Sequence, residues 1–178
     1  TATDFRVSDV DAEQSGGFAH SQDKHSILTI ENTTIKNARG LTGGVVSVEN
    51  GASIIMKQIA MDTCLARDNG GIAYTSGYGS RIELNKITAH TLKALQSGGI
   101  GCAINGSTLL ITDSTFDDML ANTGGSLYSR DSETTIRLKK STMTKSFAYK
   151  MGGGIHSKDG SKIVLDETTW NNLSVICS

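Results

Sequence analysis

Residues Gly70 to Gly99, GGIAYTSGYGSRIELNKITAHTLKALQSGG, hold one full period of the pattern that decides the fold. The stretch opens on Gly70-Gly71-Ile72, runs through Ser80-Arg81-Ile82-Glu83-Leu84 and Ala89, and closes on Gly98-Gly99-Ile100. Outward from it, Gly-Gly pairs recur at Gly16-Gly17, Gly43-Gly44, Gly124-Gly125 and, within a triplet, Gly153-Gly154. Successive spacings are then 27, 27, 28, 26 and 29 residues. The residue after each pair is Phe18, Val45, Ile72, Ile100, Ser126 and Ile155, apolar in five of six, so the pair marks a turn into a buried segment.

Two further ladders keep the same period. Apolar-x-apolar pairs fall at Phe5/Val7, Leu28/Ile30, Ile54/Met56, Ile82/Leu84, Leu109/Ile111, Ile136/Leu138 and Ile163/Leu165. Their first members are 23, 26, 28, 27, 27 and 27 residues apart, and Ser or Thr stands two residues before all but Ile54, which has Ala52. Five residues after each pair comes Ala12, Ile35, Met61, Ala89, Phe116, Met143 and Trp170. Each run alternates apolar and polar, the mark of a half-buried strand, and none is long enough to be stable alone. No hairpin signal separates the runs, so the chain winds and each coil pairs in parallel with the next, about 4.8 Å away. The pattern therefore predicts an all-β, right-handed parallel β-helix, about six to seven coils of about 27 residues with three short parallel sheets. Handedness follows the rule for parallel crossovers. The rows Leu28, Ile54, Ile82, Leu109, Ile136 and Ile163 are expected to form one inward stack. Which alternate residues of the Gly-Gly strand point inward stays open, since Val45/Val46 and Ile72/Ala73 offer apolar groups on both faces.

Composition agrees. Twenty glycines without a proline suit a chain of continuous ladders and tight corners. With 17 basic and 18 acidic residues the net charge is -1, which leaves no electrostatic footprint for nucleic acid or an anionic membrane. No run of 18 apolar residues exists to span a bilayer. Cys64, Cys102 and Cys177 are odd in number and include no C-x-x-C pair, so a zinc ribbon is not expected. They read first as small buried hydrophobes, and secondly as one inter-coil disulfide with a thiol left over, or an inter-subunit bond through Cys177.

The order G-G-φ-x, S-x-φ-x-φ, T-φ and then Ala before the next G-G resembles the pectin-lyase-like β-helix repeats of large surface proteins. Polymorphic outer-membrane (autotransporter-like) proteins of bacteria and repeat proteins of protist surfaces are examples. Gly71-Ile72-Ala73-Tyr74 and Gly125-Ser126-Leu127-Tyr128 lie near the G-G-A-I-Y form, and Thr115-Phe116 and Thr169-Trp170 match the T-F element. The Asn that follows the Phe in such repeats is not placed there by Asp118-Met119 or Asn172-Leu173. The resemblance covers essentially the whole chain and implies a fold and a location at the cell surface or outside the cell, more than an activity.

A carbohydrate-active enzyme on this fold would need two carboxylates across a cleft, or clustered Asp for calcium beside a basic group. Asp113, Asp117 and Asp118, with Arg130, Asp131, Arg137 and Lys139 one coil on, are the candidates. No Gly-His-Gly accompanies them, and Asp117-Asp118 reads better as a solvated corner. His20, His25, His90 and His156 do not converge in adjacent coils, so no metal or cofactor is expected. An ice-binding face would need ranks of Thr-x-Thr, and Thr142-x-Thr144 stands alone. Asn32-Thr33-Thr34, Asn105-Gly106-Ser107 and Asn172-Leu173-Ser174 are glycosylation sequons at expected turns. The expected function is a structural or adhesive extracellular β-solenoid of one domain, residues 1–178, without catalytic residues. A glycan- or protein-binding module is the second reading, to be recognised by an aromatic or single-sign patch crossing successive coils. The register begins and ends in mid-coil, so the expected partners are flanking β-helix of the same protein or a second copy stacked end to end.

Overall fold

The computed structural model describes residues 2–175, and all of its regular elements are β-strands, eighteen in number among these residues. Every strand pairing is parallel, each strand lying beside its counterpart one coil on. Ala19–Gln22, Val46–Glu49, Ala73–Ser76, Gly101–Ile104, Leu127–Ser129 and Ile155–Ser157 form a six-stranded sheet after the glycine pairs. The remaining twelve strands are joined in one larger sheet that bends around the rest of each coil.

Two corners bend it. The first is Asp4, Asn32, Gln58, Lys86, Asp113, Lys140 and Glu167, the second Asp9, Asn37, Thr63, Thr91, Asp118, Lys145 and Asn172, all with φ between +47° and +61°. A single residue in the left-handed region reverses the side-chain alternation without a loop, which keeps the two corners five positions apart in every coil. Asp and Asn fill seven of the fourteen places, as their short polar side chains tolerate this conformation best.

Side chains beside the first corner decide whether the strand continues. Ile59 and Ile87 sit there in Ser53–Ala66 and Arg81–Ala94, which run unbroken for fourteen residues. Thr33, Ser114 and Ser141 hold the same place in coils where the strand is interrupted. Their hydroxyls donate to the carbonyl two residues back, at Glu31, Thr112 and Lys139, over 2.7–2.8 Å. That local bond competes with the ladder, while Ser114 Oγ in turn accepts the Ile87 N–H at 3.0 Å.

The glycine pairs divide two tasks. The first of each pair, as at Gly43 and Gly70, has φ near +66° to +70°. The second packs against the carbonyl of its counterpart one coil on, so that a Cβ at Gly44 would strike Gly71 O and one at Gly71 would strike Gly99 O. Near the end of the chain the pair in register is Gly152-Gly153, not Gly153-Gly154: Gly152 carries the positive φ and Gly125 N–H bonds to Gly152 O. Gly154 therefore takes the inward place of Ile100 and Ser126, and a Cβ there would meet the Trp170 ring. The large indole fills the space that the missing side chain leaves.

Inside, Leu28, Ile54, Ile82, Leu109, Ile136 and Ile163 lie in one register. The four central members are fully buried, and the outer two, Leu28 and Ile163, are half-buried against the same core. Of the Gly-Gly strand, Val46 and Val48, Ala73 and Thr75, and Leu127 and Ser129 point inward, while Ser47, Tyr74 and Tyr128 point out. The first coil is offset from its expected register. Val7 opposes Ile35 and Ala2 opposes Ile30, so Val7 rather than Ala12 begins the third ladder, and Phe5/Val7 is not the first member of the second. The 23-residue spacing of that pair betrayed the slip, since a coil needs about 26–28 residues to close; Phe5 instead stacks obliquely on Phe18, ring centroids 5.7 Å apart.

Ile82→Ala is expected to lower unfolding stability by about 2–5 kcal/mol, because neighbouring coils cannot close the cavity. Lys140→Ala, on an exposed corner, is expected to change it by less than about 0.5 kcal/mol. Urea unfolding followed by circular dichroism measures both.

Candidate functional site

Because coils repeat, residues 26–29 apart in sequence become neighbours on the surface. One outward row of the six-stranded sheet reads His20, Ser47, Tyr74, Cys102, Tyr128 and His156. The turns before the glycine pairs rise beside it and enclose a polar recess of about 270 Å³. Asp68, Asn69, Gln96 and Ser97 form one wall, and Cys102, Ile104, Tyr128 and Arg130 the other. Tyr128 stacks on His156 with ring centroids 5.6 Å apart and planes 13° apart. Arg130 Nε donates to Asp131 Oδ2 at 3.2 Å, and this bond raises the guanidinium pKa further. Burial raises the Tyr74 hydroxyl pKa, only partly countered by its hydrogen bond to Ser76. Beside Tyr74, Ser47 Oγ is buried without a hydrogen-bond partner among the described residues. Acceptors on one wall, with a cation and an aromatic ring on the other, can hold a small polyhydroxylated group. Tyr74, Cys102 and Tyr128 each stand three residues after a glycine pair and so align in the sequence itself, whereas Asp68, Asn69, Gln96 and Ser97 reach the row only through the folding of the turn.

The carboxylates and cations of the enzymatic reading do not meet in one cleft. Asp113 and Asp118 stand at the two corners, on either side of Asp117. Asp117 faces outward between His90, at 3.8 Å, and Lys145, at 3.4 Å. Arg130 and Asp131 follow the six-stranded sheet, while Arg137 and Lys139 point outward from Thr135–Lys139, where Lys139 pairs with Asp166 at 3.0 Å. Among the described residues no three His, Cys, Asp or Glu side chains are grouped to hold a metal ion. His20 and His156 do share one row, at opposite ends of it. Thr34, Thr88, Thr115, Thr142 and Thr169, the threonines of the T-φ element, form a rank broken by Ala60. The adjacent row is Lys36, Asp62, His90, Asp117, Thr144 and Asn171, so no Thr-x-Thr double rank results.

Asn32, Asn105 and Asn172 are all exposed and all have φ of 50–56°; Asn32 and Asn105 lie between strands, and Asn172 lies at the second corner within the strand Thr169–Val175. Asn105 Nδ2 donates to Ser76 Oγ at 3.1 Å, and Ser107, the hydroxyl residue of that sequon, is buried and donates to Thr75 O.

Cys64 and Cys102 are buried free thiols, as the first of the two readings has them, and the alternative inter-coil disulfide does not form between them. Cys64 points into the core beside Leu92, whereas Cys102 points out under the turns. Cys177 lies outside the described residues. Burial raises the Cys64 pKa to about 12, with Asp62 adding to the effect, and raises that of Cys102 as well.

Parallel ladders, glycine corners and stacked inward rows define a β-solenoid. A family model described as "Right handed beta helix region" matches residues 1–170, and the chain belongs to that family. Comparison with curated proteins and with solved structures gave no match. No helix of the described residues is long and apolar enough to cross a membrane.

In a Cys177→Ser background, neither remaining thiol is expected to react with a disulfide reagent at pH 8 until the protein unfolds. The folded state keeps a proton that the unfolded thiol loses above about pH 8.5, so the unfolded state binds fewer protons there. Stability is fully present below that pH and is lost as pH rises toward 12, by up to about 1.4 kcal/mol per pH unit for each thiol. Thiol titration and urea midpoints between pH 8 and 11 check both expectations.

Proposed function

We propose that this chain is a non-enzymatic structural or adhesive element at a cell surface or outside the cell. The observation that carries this reading is that most of its surface ion pairs run along the axis, from coil to coil, with Arg81–Glu83, Arg130–Asp131 and Lys158–Asp159 as the pairs within a coil. Glu31–Lys57 at 3.1 Å, Lys139–Asp166 at 3.0 Å and Asp117–Lys145 at 3.4 Å each join neighbouring coils. Asn37–Asp9 at 2.8 Å and Asn85–Thr112 at 2.6 Å do the same, and Arg67 reaches Asp11, 56 residues earlier, at 2.7 Å. Each exposed pair contributes little alone, but in a solenoid, where a coil touches only its neighbours, the series resists local opening along the rod. Antibody labelling of intact cells of the source organism tests the location, with strong labelling expected before permeabilisation. Labelling seen only after permeabilisation would overturn it. In a eukaryotic secretory setting Asn32 and Asn105 carry glycans, and native material should lose mass on enzymatic deglycosylation; an unchanged mass rules this out.

The recess at Tyr128 and Arg130 favours a second reading, recognition of a glycan along the six-stranded sheet. Calorimetry with neutral oligosaccharides should show binding that Asp68→Ala and Arg130→Ala each weaken about tenfold. Heats indistinguishable from dilution across such a panel would remove this reading and leave the structural one intact.

A further inference from the structure

Asn-Gly occurs at Asn50-Gly51, Asn69-Gly70 and Asn105-Gly106. The dipeptide carries a chemistry of its own. The glycine nitrogen, with no Cβ beside it to hinder approach, can attack the carbonyl carbon of the asparagine side chain. A C–N bond closes a five-membered imide, the bond to the side-chain nitrogen breaks, and ammonia leaves with the proton that the glycine N–H gives up. Water then opens the imide to aspartate or isoaspartate. The reaction therefore needs a glycine N–H that is free to lose its proton.

The first and third pairs form turns after the six-stranded sheet. Asn50 and Gly51 have φ of 55° and 85°, and Asn105 and Gly106 of 56° and 75°, the left-handed pair of a type I′ turn. Both asparagines are exposed. Each glycine N–H is nevertheless tied to a hydroxyl one coil on. Gly51 N–H donates to Ser80 Oγ at 2.9 Å, and Gly106 N–H to Thr134 Oγ1 at 2.8 Å. Ser80 and Thr134 are both 1% exposed, so these acceptors lie out of reach of water. Ser80 Oγ sends its own proton to Ser76 O at 2.7 Å, which leaves a lone pair for Gly51. Asn69-Gly70 is held differently: Gly70 N–H donates to Ser97 O at 2.9 Å, within the glycine ladder.

Ser80 and Thr134 belong to the Ser/Thr row that precedes the apolar pairs. Other members of the row bond elsewhere. Ser107, one coil on from Gly77-Tyr78-Gly79, donates to Thr75 O at 2.9 Å, and Ser161 meets Ser129 and Ser157. Ala52, the row's exception, follows the turn Asp23-Lys24-His25, which contains no Asn-Gly. Among the described residues this row accepts a turn glycine N–H only where the turn is Asn-Gly.

We infer that Asn50 and Asn105 are latent deamidation sites, and that Ser80 and Thr134 hold them closed by accepting the glycine N–H of the coil before. Modification at either site then records that one coil has opened from the next. Isoaspartate lengthens the main chain of a two-residue turn by a carbon, against the register that both flanking strands need. Neither reading of function is required for this.

The test uses the chain made in a bacterial host, so that Asn105 bears no glycan, incubated at mildly alkaline pH and physiological temperature. Peptide mapping by mass spectrometry follows deamidation at each asparagine, with fragmentation that separates isoaspartate from aspartate. Asn50 and Asn105 should react far more slowly in the folded chain than in urea. Ser80→Ala should speed reaction at Asn50 about fivefold and leave Asn105 unchanged, since a single hydrogen bond to the N–H is lost. Thr134→Val should do the reverse, and neither should affect Asn69. Ser80→Thr keeps the hydroxyl and should keep Asn50 slow. Ile82→Ala loosens the same coil without touching the hydroxyl and should have the smaller effect on Asn50. Equal rates in the folded chain and in urea overturn the inference. So does an unchanged Asn50 rate in Ser80→Ala, or a rise in Ile82→Ala as large as in Ser80→Ala, which would assign the protection to general stability instead.

Discussion

Close approach of the backbone at the second glycine of each pair is the constraint on which the other features depend. Gly17, Gly44, Gly71, Gly99, Gly125 and Gly153 stand in succession, with the would-be Cβ of each directed at a carbonyl of the next coil or of the chain beside it. A side chain at any of them would push two coils apart or rotate one against the other. Either movement would spoil the parallel register of both sheets, because a shift by one residue turns every inward side chain to the surface. The coil is thus closed by backbone contact first, and the apolar rows then fill the space this contact defines.

Filling is done by compensation between positions that face each other across the coil. Gly101 stands where other coils have Val46, Ala73 and Leu127, and a Cβ there would press on the Leu109 side chain. Gly154 stands opposite Trp170 in the same way. Where Ser126 replaces an apolar residue, its hydroxyl meets Ser146 at 2.6 Å, and Ser146 donates to Gly153 O, so both buried polar groups are satisfied. A ladder read as "one apolar residue per coil" is in fact a set of paired choices that keep the enclosed volume filled.

The outer surface follows different physics. Outward rows away from the turns are bound by little packing, so they are free to differ from coil to coil, and they do: charged and hydrogen-bonded pairs on the larger sheet, a polar recess beside the six-stranded one. These surfaces give the solenoid its possible contacts, while the repeat itself supplies only the spacing of about 4.8 Å between rows. Fold and function are therefore separable in this chain to an unusual degree: the inward half of each coil is fixed by the ladder, and the outward half carries whatever the molecule recognises.

Period, strand positions, the inward stack through Ile54 and Ile82 and the task of the glycines were legible in the sequence, because each is a local choice repeated in register. The first coil and the Gly152-Gly153-Gly154 triplet were misaligned for the same reason, since there the repeat is imperfect and only hydrogen bonding distinguishes adjacent offsets. The left-handed corners were hidden because Asp, Asn, Thr, Lys, Gln and Glu all occupy them, the conformation being imposed by the coil rather than by residue type. The recess formed by Asp68, Gln96, Tyr128 and Arg130 has no linear signature. Its members come from successive coils and differ in kind, so only the winding of the chain, which brings coil beside coil, makes them neighbours.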